Sequence, residues 1–363
     1  MKLQVTQEHL NQALTSVGRV ANSRNTLPIL SNVLIKTIKN RLSLAATNLD
    51  IAIVHFIGAK ISEEGAITVP ARLMQEFVGS LPSGVIELEL TNTKLKVTTN
   101  QYHSVVNGIV ADDFPVMPTI SDGKKWRIST SELKKGLQQV AFAASSDETR
   151  QVLTGVYFHT KSGKLFIAAT DSYRLAEKEI GKNSEEVDIL VPASAMQDLL
   201  RIMSEYDGEV NVTHDGQQVL FHVGDVELTA RLVEGKYPDY QKLIPSDFSS
   251  TITLKRSDFV NVTKVSSLFA RESAGSVTIE VDDKNQHLSI RSVASQLGEN
   301  TATAEGKVTG SGSITLNSKY LLDALQAFNG EEVTFGFNGK LEPTILKDTK
   351  ETNYKHIIMP LKS

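Results

Sequence analysis

The chain repeats itself three times, and that repeat restricts the fold more than any other feature of its 363 residues. Ala45-Ala46-Thr47-Asn48 returns as Ala168-Ala169-Thr170-Asp171, 123 residues later. Upstream of both, a short strand signal runs into a helical one. There Leu10, Leu14 and Val17 of LQVTQEHLNQALTSV match Leu133, Leu137 and Val140 of WRISTSELKKGLQQV at the same offset. Downstream, Val69-Pro70-Ala71 matches Val191-Pro192-Ala193 after 122 residues. A fainter third copy begins at TITLKRSDFVNVTKVSSLF, and in it Leu316-Asn317-Ser318 takes the Val-Pro-Ala place 125 residues past Val191. An offset held across separate phrases is the mark of a duplicated structural unit. Each unit of about 120 residues has the size of an ordinary domain, and the chain exceeds the length that one core usually serves.

Within each unit the pattern reads strand, helix, strands, helix, strands. Met196, Leu199, Leu200 and Met203 fall at i, i+3, i+4 and i+7, as do Leu321, Ala324, Leu325 and Phe328, so each later helix carries one apolar stripe. Strand runs alternate between turn signals: SVTIEV and HLSIRSV flank Asp282-Asp283-Lys284-Asn285, and EVNVTHDGQQVLFHV turns at Asp215-Gly216. Two helices against antiparallel strands, three times over, predict an α+β fold of three similar domains. The polar stretches SDGKK (Ser121 to Lys125) and PSDFSS (Pro245 to Ser250) are the expected junctions, which gives domains 1–121, 126–246 and 247–363.

Composition then removes whole classes of chemistry. The absence of cysteine excludes disulfides, thiolate nucleophiles and Cys-based metal sites. The eight histidines are dispersed without HxH or HExxH spacing, and no GxSxG, Walker-type GxxxxGK or GxGxxG sequence occurs. Gly310-Ser311-Gly312-Ser313 reads as a turn before a strand. The acid pairs Asp112-Asp113, Asp282-Asp283 and Glu331-Glu332 sit in turn signals, where carboxylates face solvent and neighbours do not converge for acid–base work. No catalysis, metal or other cofactor is therefore expected. No signal-peptide pattern or membrane-length apolar run is present, so the expected compartment is the cytoplasm. A formal charge of −4 argues against binding nucleic acid with the whole surface, although one basic face among acidic ones remains compatible. A protein-binding repeat scaffold, or an enzyme assembled from dispersed acids and histidines, stands as an alternative at this point.

Five phrases in order sharpen the reading: TLPILSNVLI (Thr26 to Ile35), AATDSYRLA (Ala168 to Ala176), KYPDYQKLIP (Lys236 to Pro245), LNSKYLLDAL (Leu316 to Leu325) and MPLKS (Met359 to Ser363). Across its whole length the chain resembles the bacterial β sliding clamps, the processivity subunits of replicative DNA polymerase III. The resemblance implies a head-to-tail homodimer whose six domains close a ring on duplex DNA, held without sequence preference. It also implies loading by a separate clamp loader, and tethering of the polymerase and other clients through a short, largely apolar peptide. No membrane partner is implied.

Carried over position by position, the resemblance supplies candidate sites. Arg24 and Arg72, at family positions, with Lys134, Lys135 and Arg201 on the presumed inner helices, are expected to face DNA, where several weak phosphate contacts suit a protein that must slide; for any one of them taken singly an ordinary solvated cation is the commoner reading. The partner-peptide pocket is expected to draw Leu153, Thr170, Ser172, Tyr173, Arg174 and Leu175 from the second unit. Its other members are Pro238, Lys242 and Leu243, then Leu341 and Pro343, and finally Ile358, Met359, Pro360 and Leu361 of an unusually apolar C-terminal tail. Ser172-Tyr173 stands where Gly-His is frequent in the family, and Lys242 where Arg is. Val106, Leu268 and Phe269 are the expected dimer contacts, with burial in their own domains the other reading of each.

Overall fold

The computed structural model describes residues 1–21, 27–296 and 298–362. Among the described residues six α-helices form: α1 (Gln7–Ala21), α2 (Ala71–Ser80), α3 (Thr130–Val140), α4 (Ala193–Ile202), α5 (Arg256–Phe269) and α6 (Ser318–Ala327). The repeat is physically real at the level of side chains. Leu10, Leu14 and Val17 of α1 and Leu133, Leu137 and Val140 of α3 are all buried to 1% exposure or less. The later helices bury the stripes predicted for them: Met196 and Leu199 in α4, with Met203 just beyond it, and Leu321, Ala324, Leu325 and then Phe328 in and after α6. Leu200 is only half-buried. Each fully buried leucine contributes about 1.5–3 kcal/mol relative to exposure, so these stripes are what hold otherwise marginal helices in place.

The strands form four antiparallel sheets divided between two compact units, one of residues 1–131 and 194–232, the other of residues 132–193 and 233–363. In the first unit a five-stranded sheet runs Lys60–Glu63, Lys2–Thr6, Val85–Thr91, Lys94–Thr98, His103–Asn107. Its eight-stranded sheet is closed in the middle by Val226–Arg231 pairing with Ile51–Gly58, Leu228 opposite Ile53. Strands from two different repeats thus share one sheet. Helix α1 packs against both α2 and the strands Arg41–Thr47 and Ile51–Gly58. The Asp215-Gly216 hairpin forms as predicted, with Gly216 at φ +91° and the Asp215 carboxylate accepting from the amides of Gln217 and Gln218.

The second unit repeats the device. Its nine-stranded sheet is joined where Arg174–Lys182 pairs with Tyr354–Ile358, Leu175 opposite Ile357. A four-stranded sheet runs Gly298–Glu305, His287–Ala294, Ser276–Asp282, Gly312–Asn317, and α5 packs on its first two strands. The compact units do not follow the repeat, because the middle copy lends strands to a sheet in each. Within the second unit, Gly136 lets α3 sit directly on the sheet: a Cβ there would meet Ile180 Cγ2 at 2.5 Å and Ile167 Cδ1 at 2.9 Å. A mid-helix glycine ordinarily costs about 1 kcal/mol against alanine; this close approach is what it permits.

Candidate functional site

The site begins at the turn between the strands Lys164–Thr170 and Arg174–Lys182. Thr170 Oγ1 donates to the Arg174 carbonyl at 2.6 Å and accepts from the Ser172 amide at 3.1 Å. Asp171 Oδ1 accepts from the amides of Tyr173 and Arg174, both at 2.9 Å. These bonds hold Ser172 at φ +78°, a left-handed conformation that costs a non-glycine residue about 1–2 kcal/mol. Arg150 compensates part of the cost, donating Nη1 to Ser172 Oγ at 3.0 Å and Nη2 to the Asp171 carbonyl at 3.3 Å.

Arg174 is the most heavily engaged side chain of the loop. Its Nε donates to Asp171 Oδ2 at 3.1 Å, Nη1 to Asp323 Oδ2 at 2.7 Å and Nη2 to the Phe142 carbonyl at 2.9 Å. The guanidinium also lies 5.2 Å from the Phe142 ring centre and 4.7 Å from that of Tyr320. With its side chain only 10% exposed, Arg174 locks the turn from beneath. Tyr173 is left outside at 56% exposure, with its ring 6.4 Å from Tyr320. Its carbonyl accepts from the Met359 amide at 2.8 Å, and the Leu361 amide reaches the Thr315 carbonyl at 2.9 Å, so the C-terminal segment is tied along the turn.

Most of the expected pocket residues meet around this turn. Ile358 pairs with both Arg174 and Thr344, one residue past Pro343, while Met359, Pro360 and Leu361 remain half-buried. Leu153 and Leu175 join Tyr237, Tyr240, Ile345 and Ile357 in one apolar cluster. Leu153, Leu175 and Ile358 are therefore floor and core, at 5%, 3% and 0% exposure, and Thr170 is nearly as deep. Leu243 (49% exposed) and Leu341 (66% exposed) stand in the open with Pro238, and Lys242 pairs with Asp239 at 2.8 Å. Sequence reading missed Phe142, Arg150, Tyr320 and Asp323. Nothing in their local pattern distinguishes them, since their roles arise only when the sheet brings Arg174 to them.

The expected DNA-facing cations are less uniform. Arg24 lies outside the described residues. Arg72 is 79% exposed and pairs with Glu76 one turn along α2. Arg201 pairs with Asp198 at 2.7 Å, and the two line a cleft of about 830 Å³ in the first unit. Burial raises the Asp198 carboxyl above its ordinary range against the pull of Arg201. Lys134 is half-buried on α3, and Lys135 reaches Glu351 at 3.0 Å. The Arg72–Glu76 pair, exposed on both sides, is worth about 0–1 kcal/mol, so a phosphate can replace that carboxylate at little cost.

The expected interface residues differ in exposure. Val106 is 6% exposed and faces Leu95 inside its own sheet, while its neighbour Val105 is 57% exposed. Adjacent strand residues point to opposite faces, so Val105 is the side chain that this edge strand turns outward. Leu268 is 48% exposed at the end of α5, and Phe269 is half-buried.

Sequence models of the DNA polymerase III beta subunit match along the chain: the N-terminal domain over residues 1–118, the central domain over 127–239 and the C-terminal domain over 241–362. The beta sliding clamp of Synechocystis sp. is 31% identical over 388 residues, covering 100% of this chain and 99% of that one. The chain belongs to the bacterial beta sliding clamp family. The clamp of Staphylococcus epidermidis is 30% identical with both chains fully covered. Among solved structures, the Bacillus subtilis sliding clamp matches with TM-score 0.95 at 28% identity, covering 100% of this chain and 99% of that one. The Pseudomonas aeruginosa clamp bound to griselimycin matches with TM-score 0.95 at 25% identity, both chains fully covered. The α+β fold expected from the repeat and the clamp fold implied by the resemblance are thereby established, and the chain acts as a DNA sliding clamp of polymerase III, a processivity subunit without catalysis of its own. Among the described residues no group of three or more potential metal ligands occurs, and no helix is long and apolar enough to cross a membrane.

Proposed function

We propose that two copies of this chain join head to tail into a closed ring around duplex DNA, with domains at 1–121, 126–246 and 247–363 of each copy. The observation that carries this reading is a pair of open sheet edges near opposite ends of the sequence. His103–Asn107 ends the five-stranded sheet with Val105 outward, and Gly298–Glu305 ends the four-stranded sheet that α5 packs on. An unpaired edge is a template for strand addition, and a heterologous contact gives a ring only when its rotation closes. Leu268 and Phe269 extend the second edge with apolar surface.

Arg24, Arg72, Lys134, Lys135 and Arg201 then serve as weak, sequence-blind phosphate contacts in a protein whose net charge is −4. The turn at 170–174, the 238–243 segment, Leu341, Pro343 and the C-terminal tail take the apolar peptide of the polymerase, the clamp loader and other clients. The ring works in the cytoplasm on chromosomal DNA. Static light scattering of a Leu268→Asp/Phe269→Asp double variant tests the assembly. A dimer that falls to monomer supports the reading; an unchanged dimer removes α5 from the interface.

A further inference from the structure

The sheet face that carries the proposed peptide groove also carries a second recess, of about 640 Å³. Lysines line it from three strands: Lys161 and Lys164 at one hairpin, Lys347 in Thr344–Asp348 and Lys355 in Tyr354–Ile358. Only one carboxylate, that of the buried Glu177, is among the lining groups. It pairs with Lys355 at 3.4 Å, and Lys164 reaches Glu179 at 3.0 Å. Lys161 donates to Gln241 Oε1 at 2.5 Å, and Lys347 lies 5.4 Å from the Phe248 ring centre. Neither of these two has a carboxylate partner among the described residues. Burial first, and then repulsion from Lys355, push the Lys347 ammonium below its ordinary range. Two of the four lysines of the recess thus hold no ion pair among the described residues.

Register puts this recess next to the groove. In one row across the sheet Thr170 faces Leu175, Leu175 faces Ile357 and Ile357 faces Ile345. In the row two residues along, Ala168 faces Glu177, Glu177 faces Lys355 and Lys355 faces Lys347. Residues two apart on a strand share a face and lie about 7 Å apart, so the apolar and basic rows are neighbours. The segment 238–245 runs past both. Pro238, Lys242 and Leu243 belong to the proposed groove, whereas Gln241, Ile244 and Pro245 wall the recess.

We propose that the recess binds the side-chain carboxylates of an acidic peptide segment that flanks the apolar peptide of a client protein. The inference rests on the groove reading, because an anchored apolar peptide delivers its flank at high effective concentration, which a free anion lacks. The lysines then select among clients by the charge beside the anchor.

The test uses fluorescence anisotropy with the full chain and its Lys161→Gln/Lys347→Gln variant. The probes are labelled Ser-Leu-Leu-Leu-Phe, the same pentapeptide with three glutamates added at either end, Glu-Glu-Glu-Phe alone, and a short single-stranded oligonucleotide. One of the two tailed peptides should bind the unaltered protein roughly five- to ten-fold tighter than the bare pentapeptide at low salt, as two recruited ion pairs imply. The variant should lose that advantage while binding the bare pentapeptide as before. Failure of the bare pentapeptide on both proteins, with lysine-dependent binding of Glu-Glu-Glu-Phe, would remove the groove and keep the recess. Equal affinities with and without the tails, or an advantage that survives in the variant, overturns the recess. So does a lysine-dependent oligonucleotide that outcompetes the tailed peptides, which would assign the recess to nucleic acid.

Discussion

The turns at 47–51 and 170–174 have the same backbone and different uses. Thr47 Oγ1 donates to the Ile51 carbonyl and accepts from the Leu49 amide, as Thr170 does with Arg174 and Ser172. Asn48 Oδ1 accepts from the amides of Asp50 and Ile51, as Asp171 does from Tyr173 and Arg174. Leu49 stands at φ +79° and Ser172 at φ +78°. The divergence comes from two side chains. Asn48 has spent its acceptor, while the charged Asp171 has a second oxygen for Arg174; Ile51 buries itself in its sheet, while Arg174 reaches out to Asp323, Phe142 and Tyr320. Duplication kept a turn whose bonds are local, and one carboxylate with one guanidinium tie the second copy of it to the rest of its unit.

Removing the guanidinium gives the largest expected effect. Arg174→Ala leaves Asp171 and Asp323 with uncompensated, largely shielded charge, a loss of about 3 kcal/mol in the opening free energy of this turn. Hydrogen exchange at the Tyr173 amide is the readout, with the Leu49 amide as internal reference. Unchanged protection at Tyr173 would mean that the local bonds alone hold the turn and that Arg174 has another purpose.

A smaller and more pointed effect comes from exchanging the two residues that differ. Asp171→Asn keeps the acceptor for the two amides but loses the charge toward Arg174, and should cost about 1–2 kcal/mol in the same measurement. Asn48→Asp in the sister turn has Ile51 where the other copy has Arg174, and should stay within about 0.5 kcal/mol of the original. Equal responses of the two turns would erase the distinction drawn between them.

The same contrast says what can be read from a sequence. The match of Ala-Ala-Thr-Asn to Ala-Ala-Thr-Asp marks the shared turn because its hydrogen bonds span at most four residues. Leu10, Leu14 and Val17 announce a buried stripe because helix periodicity is local. Arg174, by contrast, meets Asp323 across 149 residues, and no spacing announces that pair. Alternation likewise shows that Val105 and Val106 face opposite ways, but only packing shows that Val106 is the one facing inward. The two compact units were equally hidden, since they depend on Val226–Arg231 finding Ile51–Gly58. Family resemblance supplied the candidate groove residues, but the difference between the buried and the exposed ones emerges only from packing.

With a net charge of −4 and cations already paired to carboxylates, affinity is a poor means of staying on DNA, and enclosure is the central claim. The most direct test loads the protein on nicked circular DNA with a clamp loader, washes at moderate salt, and then linearises half of the sample. Enclosure predicts retention on the circle and release through the ends of the linear form. Equal retention on both, falling steeply and in parallel as salt rises, would show a simple phosphate binder and contradict it.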